Sequence, residues 1–131
     1  MSQIEAASPF APDFEFINSS MFRDCSCQSA FSFDIKPDIC VYTKKSARQG
    51  LTDIARAELV IEFKWHMHDD PFTFPTLIDE GENKILSFLR DSKAGVNTAG
   101  QITMYTAAQL GSQFCTCVFS VLIIQSYTRL I

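Results

Sequence analysis

The sequence predicts an α+β fold in which helices pack on a central mixed sheet of about five strands. Short apolar stretches that alternate with polar residues fill the middle of the chain, a pattern typical of strands. A proline-free stretch rich in Ala, Gln, Met and Leu, from about Ala99 to Phe114, predicts one main helix. With 131 residues, of which 47% are apolar and 20% charged, the chain has the composition of an ordinary folded domain.

The first 30 residues lack a regular apolar pattern. Pro9, Pro12 and several serines interrupt every apolar stretch, so we expect an irregular arm over residues 1–30 with at most a short helix around Phe16–Arg23. Residues 31–131 are expected to form a single α+β domain.

Three strands are predicted next, at Phe31–Ile35, Asp38–Tyr42 and Ala57–Met67. The third is the clearest, because apolar and polar residues alternate along it. The face expected to be buried carries Leu59, Ile61, Phe63 and Trp65. Glu62 and Lys64 fall on the opposite, polar face of the same strand.

A loop and two helices are predicted after these strands. A proline marks Phe72–Asp79 as the loop, and apolar residues at helical spacing predict a short helix at about Gly81–Asp91. Thr98 is the expected N-cap of the main helix. Both helices are expected to pack on the sheet.

Two strands are predicted at the end of the chain. Cys115–Ile124 has the composition of a buried strand, and a turn at Gln125 and Ser126 leads into a last strand at Tyr127–Ile131. Because the chain stops directly after this apolar region, we expect a product truncated at its C-terminus. An exposed last strand would leave a sheet edge unprotected, so we expect self-association or a protein partner there.

Charge and composition narrow the class of protein. A net charge of −4 is not the electrostatic footprint of a dedicated nucleic-acid binder, although it still allows a local basic patch. The most apolar stretch, Val118–Ile124, is far shorter than the roughly 20 residues of a membrane-spanning helix, and the N-terminus does not resemble a signal peptide. The five cysteines are therefore expected to be reduced thiols. We expect an intracellular protein, cytoplasmic or nuclear, without a membrane partner.

Two carboxylates and an ammonium group are expected to meet on the sheet. Asp38 opens one strand, while Glu62 and Lys64 share a face of the next. Asp38 and Glu62 would hold Mg²⁺, and Lys64 would orient the water that attacks a phosphodiester. This arrangement resembles the PD-(D/E)XK nuclease fold, whose motif the chain matches at these three residues. Gln101 and Tyr105 match a Q-x-x-x-Y helix motif of one branch of that superfamily, and at i and i+4 they share a helix face.

A simpler interpretation stays open for the same residues. Alternating Glu and Lys along a strand most often form the solvated face of a half-buried sheet. The nuclease interpretation gains support from positive charges expected in the hairpin beside the site, which would hold a phosphate backbone. These charges belong to Lys44, Lys45, Arg48 and Arg56.

Three closely spaced pairs of side chains suggest zinc as a further alternative. Their spacings fit no common structural-zinc pattern, and Cys117 is expected to act as a small hydrophobe inside the buried strand. The pairs are Cys25 and Cys27, His66 and His68, and Cys115 and Cys117.

Several segments together resemble the N-terminal part of the fungal-type protein kinase family, over a region from about Lys36 to the end of the chain. These segments are Ala57–Lys64, Asp70–Phe72, Gly100–Ile102 continuing through Ala108–Phe114 to Val118–Val121, and Tyr127–Ile131. In that family the sequence continues past Arg-Leu-Ile towards a kinase domain. The present chain has no H-R-D, D-F-G or G-x-G-x-x-G motif, so we expect no protein kinase activity from it alone.

Two functions are compatible with these patterns. The first is a non-catalytic regulatory or interaction module, the N-terminal part of a fungal-type kinase family protein, with no certain cofactor. The alternative is a Mg²⁺-dependent nuclease of PD-(D/E)XK type that acts on phosphodiester bonds. Nucleic acid is an expected partner only under the alternative.

Overall fold

A computed structural model of the chain describes residues 10–24, 34–46, 50–80 and 83–131, without the side chains of residues 76–80 and 83–86. Within these residues the predicted α+β class is confirmed: the structure has a five-stranded mixed sheet, a separate two-stranded sheet and one main helix. In chain order the elements are β1 (Phe14–Asn18), β2 (Ile39–Thr43), β3 (Leu59–Lys64), a 3₁₀ turn (Met67–Asp69), β4 (Phe72–Glu80), β5 (Asn83–Leu89), α1 (Lys93–Gln113), β6 (Phe119–Ile124) and β7 (Tyr127–Leu130).

The large sheet has the strand order β1-β2-β3-β6-β7. Strands β3 and β6 run parallel, whereas the other neighbouring pairs are antiparallel. A parallel pair needs a long crossover connection, and here the connection contains the β4–β5 hairpin and α1. The helix therefore lies against the sheet beside the two parallel strands.

The main core lies between α1 and one face of the sheet. Tyr105 and Ala108 of α1 belong to one buried cluster with residues of β2 and β3, and Ile102 belongs to a second cluster with residues of β6. The buried sheet residues in these clusters are Cys40, Tyr42, Val60, Leu122 and Ile124. These positions alternate along their strands, so they define the sheet face that α1 covers.

The predicted orientation of β3 is wrong. The helix covers the face that carries Val60 and Glu62, which are 1% and 6% exposed. Phe63 and Trp65, on the opposite side, are 36% and 80% exposed. Ile61 on that other side is nevertheless buried. Glu62 can face the helix because hydrogen bonds compensate its burial, and a hydropathy pattern contains no information about such partners.

Strand β1 forms where we predicted an irregular arm with a short helix at Phe16–Arg23. It pairs antiparallel with β2 over its whole length, from Phe14 opposite Thr43 to Asn18 opposite Ile39. Of the predicted strand Phe31–Ile35, residues 31–33 lie outside the described part, and residues 34 and 35 have no strand structure.

The predicted short helix at Gly81–Asp91 is wrong, because residues of that segment form β5. This strand pairs antiparallel with β4, with Ile78 opposite Ile85, and the rings of Phe72 and Phe88 stack with centroids 6.0 Å apart. A short apolar run is compatible with the period of a helix and with that of a strand. A helix of seven residues would be marginal alone, whereas here the neighbouring strand β4 supplies the backbone hydrogen bonds.

The predicted loop at Phe72–Asp79 is also wrong, because β4 occupies it. Pro75 caused this error, since proline cannot donate to a strand ladder. In the structure it lies where the register shifts between Phe72 and Thr76, and such an irregularity accommodates the missing N–H.

Helix α1 begins earlier than the sequence predicts. Ser92 is the N-cap, and its Oγ accepts a hydrogen bond from the backbone N–H of Gly95 at 3.1 Å. Thr98, the predicted N-cap, is buried within the helix. The helix ends at Phe114, whose φ of 53° is left-handed. No helix in the described ranges is long and apolar enough to cross a membrane.

The glycines of α1 should respond differently to replacement by alanine. A Cβ at Gly100 or Gly111 would meet no atom within 4 Å, whereas one at Gly95 would lie 3.1 Å from the carbonyl oxygen of Asp70 and 3.0 Å from Ser92 Oγ. We expect Gly100→Ala and Gly111→Ala each to stabilise the protein by about 0.8–1 kcal/mol. Gly95→Ala should give no such gain, and urea denaturation of the three variants tests the difference. An equal gain at all three positions would contradict the close approach of α1 to Asp70.

Candidate functional site

The candidate site lies where β2 begins and β3 ends. The antiparallel register places Ile39 opposite Ile61, so Asp38, the residue before β2, comes beside Glu62. The Oδ2 atom of Asp38 accepts a hydrogen bond from the backbone N–H of Phe63 at 2.8 Å. The Glu62 side chain is only 7% exposed and faces α1.

Lys64 connects the strand to the helix. Its Nζ atom lies 2.8 Å from Oε1 of Glu62 and donates to Oε1 of Gln101 in α1 at 2.7 Å. The Lys64 side chain is 18% exposed, so the ammonium group lies at the margin of the buried region rather than in bulk solvent.

Tyr105 lies one helical turn after Gln101 and reaches the same carboxylate. Its hydroxyl lies 3.4 Å from Oε2 of Glu62 and 3.2 Å from the carbonyl oxygen of Lys36. The five residues selected from the sequence are thus brought together at one place. Glu62 does not lie on a solvated sheet face, as the simpler interpretation required.

The electrostatics of the site are dominated by burial. Burial raises the pKa of Glu62, a hydrogen bond from Lys64 opposes this effect, and the negative charge of Asp38 adds to it, so that the pKa stays above its ordinary value. Burial and the charges of Glu62 and Asp38 also raise the pKa of Tyr105. The tyrosine therefore remains a hydrogen-bond donor at neutral pH.

The donor set fits a hard divalent cation. Asp38 and Glu62 are neighbouring carboxylates that repel each other, and a cation held between them would relieve that repulsion. Mg²⁺ typically binds through one or two carboxylates and keeps several waters. The described ranges contain no cluster of three or more His, Cys, Asp or Glu side chains able to hold a metal.

Among the residues that the structure describes, the zinc alternative gains no set of three or more ligands. Cys25 and Cys27 lie outside the described residues. Because β6 begins only at Phe119, Cys117 precedes the strand and is exposed, which contradicts its expected role as a small hydrophobe inside it. His66 and His68 lie at the end of β3, where their rings stack with centroids 5.0 Å apart.

The basic hairpin lies at the wrong end of the sheet for the predicted role. Lys44 follows β2, whereas Asp38 precedes it, so the two are separated by about 20 Å along the strand. Arg56 precedes β3 and thus lies at the same far end as Lys44 and Lys45. Arg48 lies outside the described residues. The expectation that these charges flank the site is therefore wrong for Lys44, Lys45 and Arg56, the three residues that the structure describes.

A second polar cluster, centred on Asp70, was not found from the sequence. Arg129 donates from Nε to Oδ1 of Asp70 at 2.9 Å and from its NH2 group to Oδ2 at 2.6 Å. The Tyr127 hydroxyl donates to Oδ2 at 2.5 Å, and the Phe72 N–H donates to Oδ1 at 3.0 Å. No pattern in the sequence places Asp70 beside Arg129, which lies 59 residues further along the chain.

The Asp70 cluster joins the small sheet to the large one. Asp70 precedes β4, while Tyr127 and Arg129 belong to β7. The Arg129 guanidinium also lies 5.5 Å from the ring centroid of Phe72. Arg129 binds Asp70 through two hydrogen bonds, and the Asp70 side chain is only 2% exposed. This ion pair fixes the start of the β4–β5 hairpin on the large sheet, so its role is structural anchoring.

No protein-family model, curated protein or solved structure matches the chain. A functional conclusion therefore depends on the geometry of the site formed by Asp38, Glu62, Lys64, Gln101 and Tyr105.

Proposed function

We propose that the chain is a divalent-metal-dependent nuclease of PD-(D/E)XK type. One observation carries the proposal: Lys64 Nζ is held between Glu62 and Gln101 on the helix-covered face, with Asp38 beside Glu62. A solvated Glu/Lys face would need no such partners from a helix. The resemblance to the nuclease superfamily assigns catalytic roles to these residues and to Tyr105.

Asp38 and Glu62 are the proposed metal ligands. The Phe63 N–H orients the Asp38 carboxylate, and the Tyr105 hydroxyl orients that of Glu62. Both are oxygen donors of the kind that Mg²⁺ prefers. When bound, such an ion lowers the pKa of a coordinated water and neutralises charge on the phosphate.

Lys64 is the proposed electrophilic residue. Glu62 and Gln101 fix its ammonium group from two elements, so little reorganisation is needed when charge develops on a phosphate. Its N–H groups would donate to the attacking water or to a phosphate oxygen. Gln101 acts through Lys64 and is therefore a positioning residue.

The test is a cleavage assay on labelled DNA and RNA oligonucleotides with Mg²⁺ or with EDTA. We expect Mg²⁺-dependent cleavage by the wild-type chain and a cleavage rate at least about 100-fold lower in Asp38→Asn. Loss of a metal ligand should reduce activity at least as much as loss of a residue that only orients a ligand. Asp13→Asn is the matched control, since Asp13 is an exposed carboxylate that precedes β1 at the far end of the sheet. Cleavage that survives in Asp38→Asn would contradict the proposed site.

A non-catalytic regulatory module of a fungal-type kinase family protein is the second candidate. The Asp70 cluster favours it, because that cluster joins two segments of the kinase-family resemblance into one folded unit. Under this proposal the contacts of Lys64 serve only to hold α1 on the sheet. Absence of Mg²⁺-dependent cleavage by a folded wild-type chain would favour this candidate over the nuclease.

A further inference from the structure

An exposed group of rings follows the candidate site directly. Trp65 comes immediately after Lys64 and is 80% exposed, and the side chains of His66 and His68 are exposed as well. The two histidine rings are already stacked, with an interplanar angle of 7°. We call Trp65, His66 and His68 the aromatic rim.

Hydrogen bonds of the turn after Trp65 hold the two histidines of the aromatic rim in place. The His66 N–H donates to Oδ2 of Asp69 at 3.3 Å, and the Asp69 N–H donates to the His66 carbonyl at 3.0 Å. The Asp70 N–H donates to the Met67 carbonyl at 3.3 Å, next to the anchor formed by Asp70. The two histidine rings are thus presented from a fixed turn beside Trp65, which lowers the entropy lost when a planar ligand stacks on them.

Charge argues against recognition of a duplex through its backbone. The chain carries a net charge of −4, and of its basic residues Lys44, Lys45 and Arg56 lie at the opposite end of the sheet, whereas the exposed Lys36 precedes Asp38 by two residues. Near the site, Lys64 already contacts Glu62. Duplex binding depends mainly on several phosphate contacts, to which a chain of net negative charge is poorly suited. Stacking on aromatic rings needs no such charge, because every base has a π-face.

We propose that the aromatic rim stacks unpaired bases, so that the substrate of the site is single-stranded nucleic acid. This inference rests on the proposed nuclease function and adds to it the choice of single strand over duplex. Bases in a duplex are stacked on one another and cannot reach the rim, whereas a flexible single strand can place one base on Trp65 while its phosphate lies at Lys64. An aromatic platform for a single strand is worth about a fivefold to 150-fold change in affinity per stacked base.

The single tryptophan makes the test direct. Trp65 is the only tryptophan of the chain, so its fluorescence reports contact with a base at the rim. We expect an oligothymidylate of roughly ten nucleotides, a length within the usual range for single-strand sites, to quench this fluorescence in EDTA, where cleavage cannot occur. The duplex of the same strand with its complement should cause little quenching.

Anisotropy of a labelled oligothymidylate tests the residue itself. Trp65→Ala should weaken binding at least about fivefold. Phe114→Asn is the matched control, because Phe114 is 94% exposed at the far end of α1 and asparagine tolerates its left-handed backbone. Unchanged binding in Trp65→Ala, or equal quenching by duplex, would overturn the inference.

The two proposals fail in different ways. Quenching by the single strand without any Mg²⁺-dependent cleavage would retain the aromatic rim as a binding surface and remove the nuclease function. Mg²⁺-dependent cleavage at equal rates on single strand and duplex, without quenching, would retain the nuclease and remove the inference about its substrate.

Discussion

Replacement of Lys64 by methionine is expected to lower the free energy of unfolding by about 3 kcal/mol and to slow metal-dependent cleavage strongly. Removal of one partner of a buried ion pair costs roughly 3–5 kcal/mol, because the other charge is left uncompensated. Glu62 would be that charge, with a side chain only 7% exposed, while the 18% exposure of Lys64 places the cost at the lower end. Urea denaturation measures the stability. Cleavage should fall by about 10²- to 10³-fold, as for loss of a fixed electrophilic donor.

A double variant separates the structural role of Lys64 from its catalytic role. Lys64→Met combined with Glu62→Gln removes both charges at similar volume, so we expect most of the lost stability to return. Cleavage should not return, because neither the ammonium nor the carboxylate is restored. Arg23→Met is the control for a solvent-exposed ion pair: Arg23 and Asp34 are 68% and 45% exposed, and its loss should change stability by less than about 1 kcal/mol. Recovery of cleavage in the double variant would show that the pair has only a structural role.

The site residues could be selected from the sequence, but the environment of β3 could not. Asp38, Glu62 and Lys64 were recognisable by type and spacing, whereas Gln101 and Tyr105 were selected only through the resemblance to a superfamily motif. Alternation fixes which residues share a face, yet it does not determine which face a helix will cover. That choice depends on Gln101 and Tyr105, which supply hydrogen-bond partners to polar side chains from a distant part of the chain.

The same limit explains the errors in secondary structure. Residues 83–89 have apolar side chains at helical spacing, but β4 lies next to them and pairs along the segment. The strand at Phe14–Asn18 has little local signal, and it exists because β2 offers an edge for pairing. By contrast, the main helix is long and β6 is strongly apolar, and each overlaps its predicted range although it begins at a different residue. Local patterns therefore predict an element correctly where it is long or strongly apolar. They do not predict a strand whose formation depends on pairing with a neighbouring strand.

Replacement of Asp70 by asparagine should destabilise the protein by about 3 kcal/mol at neutral pH, near the lower end for a broken buried ion pair. Asp70 is 2% exposed on its side chain and accepts hydrogen bonds from Arg129, Tyr127 and the Phe72 N–H. An asparagine would place an amide donor among these donors. Arg129 retains 36% exposure and can regain water, which limits the cost. Asp34→Asn, in the exposed pair with Arg23, is the matched control and should cost less than about 1 kcal/mol.

The contribution of Asp70 should also depend on pH with a defined sign. Burial alone would raise its pKa, but the hydrogen bonds from Arg129, Tyr127 and Phe72 outweigh burial and hold the pKa below the ordinary 3.8. A carboxyl whose pKa is lower in the folded state stabilises that state above the unfolded pKa, and this stabilisation is lost as the pH falls through the folded pKa. The difference in free energy of unfolding between the wild-type chain and Asp70→Asn should therefore be constant from neutral pH down to about pH 5 and shrink below about pH 4. A difference that stays constant at acid pH would show that the ion pair with Arg129 does not stabilise the join between β7 and the hairpin.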